Sequence, residues 1–545
     1  MEWIPLDSLP RNSRRPPQAF AIPRRFADRE PMPPPAPEVA HDLKTNPPLR
    51  SVRWLSAIVF SAPLACGAHT FGTVYNLPVP FWMYAYGASA ALIVSFAIVA
   101  YFASVTSKRG ASASAALQLP QTAEARAFAV LSEPWVFVMR IFSALALMLT
   151  IVAGFVGITN SYANINMTLF WIVFVLACFY LAAIVGDLYE VANPWRTLCE
   201  WAEHASSQLL FRPRSVYPRG LGYYPAFILY GAFIWLELFG QVQAHSLSVV
   251  LVVYTAINVV GAALVGKDAW FRYGEFFGVM FRLVGKIAPI EYVKEKGKLD
   301  RYRIRFRKPF AGLLQESADH GSLILFILFM LSSTAFDGIH ETVPWVSVFW
   351  KQIYPLLAAS IDRPYVFMVN FYYYWQWAML FISPFAYLLV YLGFVWLAKL
   401  ATKSQVPVSV LAAQFAFSLI PIAFVYNVSH YYTLVVSQGV NLFHLVSDPF
   451  GLGWDLFGTQ QWMQTPVILD AGGVWHTQVA LILFGHIAGV FVAHVEALKR
   501  FPDPRRATLS QLPMLLLMVL FTTVGLWILS LPIAGGQVVQ PPSST

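Results

Sequence analysis

Two pairs of imidazole and carboxylate side chains stand at helical spacing in the C-terminal half of the chain. Asp337 and His340 are three residues apart, and His444 and Asp448 are four apart. Residues at these separations lie on one face of a helix, so each pair could present two groups together. Imidazole and carboxylate are the usual ligands of catalytic transition metals.

Two further histidines border the same predicted membrane interface. His430 ends one predicted span, and His476 begins the next. Helix ends that meet at one interface can bring such residues into a shared ligand sphere. Each single histidine also has a plainer interpretation as an amphipathic anchor, and Asp448-Pro449 is a common turn starter. Only the group as a whole therefore predicts a site.

A second constellation lies inside the tenth predicted span. His486 stands near the middle of the bilayer, and His494 stands two turns further inward. Ionisable groups at this depth are costly and indicate function by default. They could be axial haem ligands, a proton relay, or histidines bonded to a neighbouring helix. The small residues Gly485, Ala488 and Gly489 favour close helix packing at this point.

Other polar residues in or near apolar segments predict a polar interior or cavity. They are Glu237, Asn258, Gln414 and Asn427. The sequence contains no CxxCH haem attachment, no P-loop and no GxSxG elbow. Its three cysteines show neither paired spacing nor a zinc signature.

The elements that must position these residues are membrane spans. The chain of 545 residues is 57% hydrophobic and 12% charged, against roughly 25% charged in soluble domains. We predict an all-α polytopic helical bundle of about eleven transmembrane helices, each of about 20 residues. The predicted spans are 52–72, 81–104, 136–157, 168–186, 221–242, 247–265, 321–337, 366–398, 408–429, 475–496 and 511–531.

The distribution of basic residues predicts the orientation. With the N-terminus inside, 34 of the 37 Lys and Arg residues fall in inside segments, and only Lys351 and Arg363 fall outside. The remaining one, Arg140, lies within a span. This excess predicts an inside N-terminus and an outside C-terminus. Because membrane insertion accounts for the basic charge, the partners we expect are membrane lipids and not nucleic acid.

Composition divides the chain into three regions. Residues 1–50 are rich in Pro and Arg, which predicts a disordered cytoplasmic tail. Residues 51–535 form the predicted transmembrane domain, and residues 536–545 form an outer C-terminal tail. Within the domain we expect a basic cytoplasmic insertion at 266–320 and an outer loop at 430–474.

Three local patterns lead to finer expectations. Residues 268–284 resemble an interfacial amphipathic helix, and residues 301–308 alternate Arg with apolar residues, as a strand or a surface-bound segment would. Residues 53–68 also have the pattern of a secretory signal, and cleavage there would leave His69 as an N-terminal residue. The long tail before this segment favours an uncleaved first helix.

Five stretches together carry a family resemblance. They are HTFGTVYNLPVPFWMYAYGASAALIVSFAIVAYF (69–102), SSTAFDGIHET (332–342), FSLIPIAFVYNVSHYYTLV (417–435), SDPFGLGWDLFGT (447–459) and WHTQVALILFGHIAGVFVAH (475–494). They resemble the bacterial fenitrothion hydrolases, membrane-bound enzymes of two subunits from organophosphate-degrading bacteria. The resemblance covers most of the chain after residue 68, and the Pro/Arg-rich tail is not part of the pattern.

The resemblance implies hydrolysis of an aryl ester bond in an apolar phosphorothioate triester, at the inner membrane and beside a second membrane subunit. A divalent transition metal would lower the pKa of bound water and polarise the phosphoryl group. Asp448 would be the general base or would orient an imidazole. The expected metal ligands are His340, His430, His444, His476 and Asp337.

Other function classes stay open at this point. The same histidines would also suit a membrane redox or metal-handling protein that binds haem or copper, with His486 and His494 as the haem candidates. Polar residues along the spans would suit a transporter, although no broken-helix pair stands in matching halves. A third alternative is an assembly subunit that is active only beside a partner.

Overall fold

Ten helices in the described residues are long and apolar enough to cross a membrane, and they make the chain an all-α polytopic bundle. The computed structural model describes residues 80–108, 127–205, 214–295, 300–358, 364–462, 467–501 and 503–531. Ten of the eleven predicted spans therefore correspond to helices. The predicted span at 52–72, His69 and both predicted tails lie outside the described residues.

We label these ten helices in chain order. They are α1 (Phe81–Lys108), α2 (Glu133–Val156), α3 (Ile165–Val185), α4 (Tyr224–Phe239), α5 (Ala244–Val265), α6 (Gly321–His340), α7 (Pro364–Thr402), α8 (Ile420–Gln438), α9 (Ala471–Arg500) and α10 (Pro504–Ser530). A shorter helix, Val408–Phe415, leads into α8 through a 3-10 turn. Following the predicted orientation, we call the end of the bundle that carries His340 the outer end.

Helix α6 is the buried centre of the bundle. Every residue from Ser322 to Asp337 is buried, and so is His340. A helix that is apolar on all sides is stable where other helices surround it. The polar residues at the outer end of α6 are therefore enclosed by protein and shielded from lipid.

Helices α8 and α9 approach closely because glycine faces the contact. A Cβ atom at Gly485 would lie 2.1 Å from Val425 Cγ2, and one at Gly489 would lie 2.8 Å from the Ser418 carbonyl oxygen. Only glycine fits at these distances, as small residues do where transmembrane helices meet. The predicted close packing at this point is confirmed.

The inner end carries a small antiparallel sheet. Strands β1 (Ala127–Leu131), β2 (Ile290–Lys294) and β3 (Tyr302–Phe306) pair in the order β1-β3-β2. The alternating segment at 301–308 therefore forms a strand, as one of its two interpretations predicted. In β3 the Tyr302 side chain is buried and Arg303 is exposed.

The segment at 268–284 does not lie on the membrane surface as one interfacial helix. It forms two short helices, Lys267–Tyr273 and Phe276–Gly285, and eight of the ten residues of the second are buried. Glu275 begins the second helix by accepting backbone hydrogen bonds from Phe277 and Gly278. The apolar residues cover all sides of this helix, so burial in the bundle is more favourable than a half-exposed position.

Arg140 is buried at the inner end of α2 in a network of charges. Its Nη1 lies 2.9 Å from Glu200 Oε2 and 2.6 Å from Asp300 Oδ1. Arg196 also pairs with Glu200, at 3.1 Å. Burial raises the pKa of Glu200, but the two guanidinium groups outweigh burial and leave the pKa below its ordinary value of 4.5. Glu200 is thus a buried carboxylate that two guanidinium groups stabilise in its charged form.

The predicted outer loop at 430–474 begins as helix. Helix α8 continues to Gln438, and a further short helix covers Leu442–Ser447. Hydropathy falls where a chain leaves the membrane, but helical hydrogen bonding does not have to stop there. His430 therefore lies within α8 and does not end it. The turn interpretation of Asp448-Pro449 is confirmed, because a turn follows in which Gly451 and Gly453 have φ angles of 71° and 84°, values that favour glycine.

Candidate functional site

The buried carboxylate of Asp337 is the centre of a polar cluster in the outer half of the bundle. His430 Nε2 lies 2.8 Å from Asp337 Oδ2, and the Tyr431 hydroxyl donates to the same oxygen at 2.5 Å. Asp337 comes from α6, whereas His430 and Tyr431 are neighbours in α8. The packing of α6 against α8 therefore assembles the cluster.

The hydrogen bond between Asp337 and His430 orients the imidazole. Because Nε2–H donates to the carboxylate, the neutral ring of His430 carries its lone pair on Nδ1. The His430 side chain is 16% exposed, against 4% for Asp337. The arrangement is a carboxylate–imidazole dyad in which the imidazole is the more exposed member.

His340 lies beside the dyad without joining it. Its Nδ1 bonds the backbone oxygen of Asp337 at 2.8 Å and lies 3.9 Å from Asp337 Oδ1. Its ring stacks on Phe336 with 5.5 Å between ring centroids. The predicted spacing of Asp337 and His340 does bring them together, but through a backbone contact.

A cavity of about 30 Å³ adjoins the cluster. Asp337 and Tyr431 line it together with Glu237 from α4 and Asn427 from α8. Within the described residues, Asp337 Oδ1 and Asn427 Oδ1 are buried without a hydrogen-bond partner. This volume holds one or two water molecules, since a water needs about 10 to 15 Å³. The polar interior predicted from Glu237 and Asn427 is thus present at this point.

The other predicted site residues occupy different surroundings. His444 is half-buried in the helix Leu442–Ser447. His476 is exposed in the first turns of α9, where Nδ1 bonds the Gly472 carbonyl at 2.8 Å and the ring meets the edge of Tyr84. These contacts suit the interpretation of His476 as an interfacial anchor.

Asp448 organises the turn that follows it. Its Oδ1 accepts from the backbone N–H of Leu452 at 2.9 Å, and its Oδ2 accepts from that of Gly453 at 2.7 Å. Both carboxylate oxygens are therefore engaged by backbone. This geometry favours the turn interpretation of Asp448 over the role of a general base.

The described residues supply two adjacent donors for a metal ion. Asp337 Oδ2 and His430 Nε2 lie 2.8 Å apart and share a proton, so a metal ion held by both atoms would replace that proton. Across the described parts of the chain, no three His, Cys, Asp or Glu side chains form a group that could hold a metal. The five-ligand centre stays a prediction, and Asp337 and His430 are the pair that fits it.

The two histidines of α9 do not fit the axial positions of one haem. His486 and His494 are eight residues apart on a continuous helix, which separates them by about 12 Å along its axis. Two axial ligands must bind one iron atom from opposite sides. Haem bound by a single one of these imidazoles stays a prediction.

Sequence reasoning missed Tyr431 and Tyr426, which carry hydroxyl groups into the bundle. In a membrane protein tyrosine is expected first at the interfaces, so its presence within a span drew no attention. A signal was available, because Tyr431 directly follows His430 and Tyr426 precedes it by one helical turn.

Comparisons of the chain with protein-family models, with curated proteins and with solved structures find no match.

Proposed function

We propose that the chain is a membrane-bound hydrolase of apolar organophosphorus triesters, in which Asp337 and His430 activate water. The observation that carries this proposal is the buried hydrogen bond of 2.8 Å between Asp337 Oδ2 and His430 Nε2. A carboxylate in this position holds an imidazole in one tautomer and stabilises its protonated form. The family resemblance supplies the substrate class.

In the proposed reaction His430 Nδ1 accepts a proton from a water molecule as the water oxygen attacks phosphorus. A new P–O bond forms, and the aryl ester bond breaks with its electron pair on the leaving aryl oxide. Asp337 stabilises the imidazolium that results, and Tyr431 holds the carboxylate in place through its hydroxyl group. The proton on His430 then passes to the aryl oxide or to solvent.

The size of the cavity determines how a substrate would approach. A triester is far larger than the cavity of about 30 Å³, since drug-sized ligands occupy pockets of roughly 300 Å³ or more. Phosphorus must therefore approach the exposed edge of His430, and the cavity can supply only water. An apolar triester partitions into lipid, so a site in the outer half of the bundle would meet concentrated substrate.

A divalent transition metal held by Asp337 Oδ2 and His430 Nε2 would take the place of their shared proton and would activate water instead of His430, with any further ligands drawn from the predicted set. When bound, it would lower the pKa of the attacking water and polarise the phosphoryl group. The inner membrane and a second membrane subunit stay proposals that rest on the family resemblance.

The test is hydrolysis of fenitrothion by purified protein carrying Asp337→Asn. We expect the rate to fall roughly 10²-fold to 10⁴-fold, because an amide holds the wrong imidazole tautomer and cannot stabilise the cation. Asp470→Asn is the matched control. Asp470 caps the first turn of α9 by accepting from Gly473 N–H at 2.7 Å, and Asn caps equally well.

Two results would overturn the proposal. One is full activity in Asp337→Asn when that variant is as stable and monodisperse as the control. The other is the absence of fenitrothion hydrolysis by the full chain, both when it is purified alone and when it is purified with the second membrane subunit that the family resemblance implies. An absorbance spectrum of the same preparation tests the redox alternative, since a Soret band would indicate bound haem.

A further inference from the structure

A second, smaller cavity lies deeper in the bundle and contains unexplained polar groups. Its volume is about 20 Å³, and residues from α6, α7, α8, α9 and α10 line it. Almost all of the lining is aliphatic or aromatic. The titratable groups that face it are Tyr387, Tyr426 and His486.

His486 presents an unprotonated nitrogen to this cavity. Its Nδ1 lies 2.8 Å from the Ile482 carbonyl, to which it donates, so the lone pair of the neutral ring is on Nε2. Within the described residues Nε2 is buried and has no hydrogen-bond partner. The residue as a whole is 2% exposed.

Tyr426 supplies the complementary group. Its hydroxyl is buried and has no hydrogen-bond partner among the described residues. It lies one helical turn inward from His430 on the same face of α8. Tyr426 therefore offers a donor, and His486 offers an acceptor, to one small cavity.

A single water molecule fits in the cavity that both residues line. The cavity exceeds the 10 to 15 Å³ or so that one water requires, and its two polar atoms meet the minimum number of partners. A buried polar atom without a partner is costly, and a water that accepts from Tyr426 and donates to His486 satisfies both atoms.

A second imidazole continues the series toward the inner end of α9. His494 is 1% exposed, and neither of its ring nitrogens has a hydrogen-bond partner within the described residues. Its ring meets the edge of Phe96 from α1, with 6.1 Å between ring centroids. Histidines inside a membrane bundle are retained at a cost, and a relay of protons is one of the functions that they serve.

We propose that the bundle conducts protons across the membrane through His486 and His494, with a water molecule bound between His486 and Tyr426. An excess proton passes from this water to His486 Nε2. Because the two imidazoles lie about 12 Å apart along α9, further water must enter between them, and the ring of His486 must turn so that Nε2 releases the proton to that water. His494 then accepts the proton at a ring nitrogen from the last of these water molecules. Only O–H and N–H bonds form and break, and no oxidant or reductant takes part.

The test is proton flux into vesicles of phosphatidylethanolamine and phosphatidylglycerol that contain the purified full chain. A potassium gradient with valinomycin sets the membrane potential, and an enclosed pH-sensitive dye reports the flux. We expect flux above that of protein-free vesicles. Tyr426→Phe and His486→Phe each should reduce it roughly tenfold or more, because each removes one partner of the bound water.

Tyr391→Phe is the matched control for a buried tyrosine. The Tyr391 hydroxyl donates to the Ala412 carbonyl at 2.7 Å and does not line the cavity, so its loss should leave the flux unchanged. The proposal is overturned if the full chain conducts no faster than empty vesicles, or if both cavity variants conduct like the control. The hydrolysis assay on the same variants keeps the two proposals separate, since flux can fail while hydrolysis persists.

Discussion

The inner end of the bundle and its membrane-buried part treat polar side chains in opposite ways. At the inner end Glu200 is shared between Arg140 and Arg196, and Asp300 also pairs with Arg140. Deeper in the bundle, by contrast, His486 Nε2 and both nitrogens of His494 are buried without partners in the described residues. The charges of Arg140, Arg196, Glu200 and Asp300 are thus matched by one another. At membrane depth, by contrast, His486 faces a small cavity and His494 has no hydrogen-bond partner within the described residues.

This difference indicates which residues are candidates for function. A paired buried charge is explained by its partner and contributes to the specificity of the fold. An unpaired buried polar atom has no such explanation, because it loses hydration and gains no hydrogen bond. The charge network at the inner end therefore has the character of scaffold. Residues that keep a buried polar atom without a hydrogen-bond partner at membrane depth, such as Asp337 through Oδ1 and His486 through Nε2, are the candidates for chemistry.

The largest expected effect is at the inner end. Arg140→Met should lower the free energy of unfolding by about 3 to 5 kcal/mol, because Arg140 is the buried partner of both Glu200 and Asp300, and only Glu200 keeps a second guanidinium, that of Arg196. Thermal unfolding in detergent measures this loss. Arg506→Met is the control, since Arg506 is exposed and its contact with Asp503 is 4.0 Å long, so its loss should change stability by less than about 1 kcal/mol. Equal stability of the Arg140→Met and Arg506→Met variants would show that the buried charge network does not stabilise the inner end.

An intermediate effect is expected where packing, and not charge, holds the structure. Gly485→Ala should cost about 1 to 3 kcal/mol, because its Cβ would clash with Val425 and separate α8 from α9. Gly393→Ala in α7 is the matched control, since nothing lies within 4 Å of the added Cβ. The measurement compares the melting temperatures of the Gly485→Ala and Gly393→Ala variants in detergent. A Gly485 variant as stable as the Gly393 variant would contradict the close contact.

The smallest expected effect is a pH dependence at the inner end. The pKa of Glu200 is lower in the folded protein than its ordinary value of 4.5, so ionised Glu200 stabilises the fold above that value. This stability is lost as the pH falls below 4.5 and through the lowered pKa. Melting temperatures measured from about pH 6 to about pH 3 should fall less steeply in Glu200→Gln than in the parent. Parallel curves would show that Glu200 does not contribute to acid sensitivity.

Much of the fold was predictable, and the reason is visible in particular segments. The span predicted at 321–337 corresponds to α6, and the one at 475–496 corresponds to α9, because a bilayer selects stretches of sufficient length and apolarity. The segment 268–284 was misplaced because apolar composition alone does not distinguish lipid from protein as the surroundings of a short helix. The end of α8 was misplaced because leaving the membrane does not end a helix.

The candidate site was predictable only in part. Spacing correctly brought His340 beside Asp337, since both belong to one helix. The decisive partners, His430 and Tyr431, come from another helix, and Tyr431 is 94 positions from Asp337 in the chain. No local pattern determines which helix faces will meet. Asp448 was a candidate because it lies four residues after His444. Its spacing could not show that both of its carboxylate oxygens accept hydrogen bonds from the backbone of the following turn.

The sequence by itself determined that this protein is a polytopic helical membrane protein, and its basic residues predicted the orientation. The spans follow from the hydropathy of each segment, and the orientation follows from the number of Lys and Arg residues in the loops that connect the spans. The tertiary structure alone decided that Asp337 meets His430 and that Tyr426 faces the cavity of His486. Such contacts require helices packed to within ångströms, and that precision arises from the fit of side chains across the whole bundle.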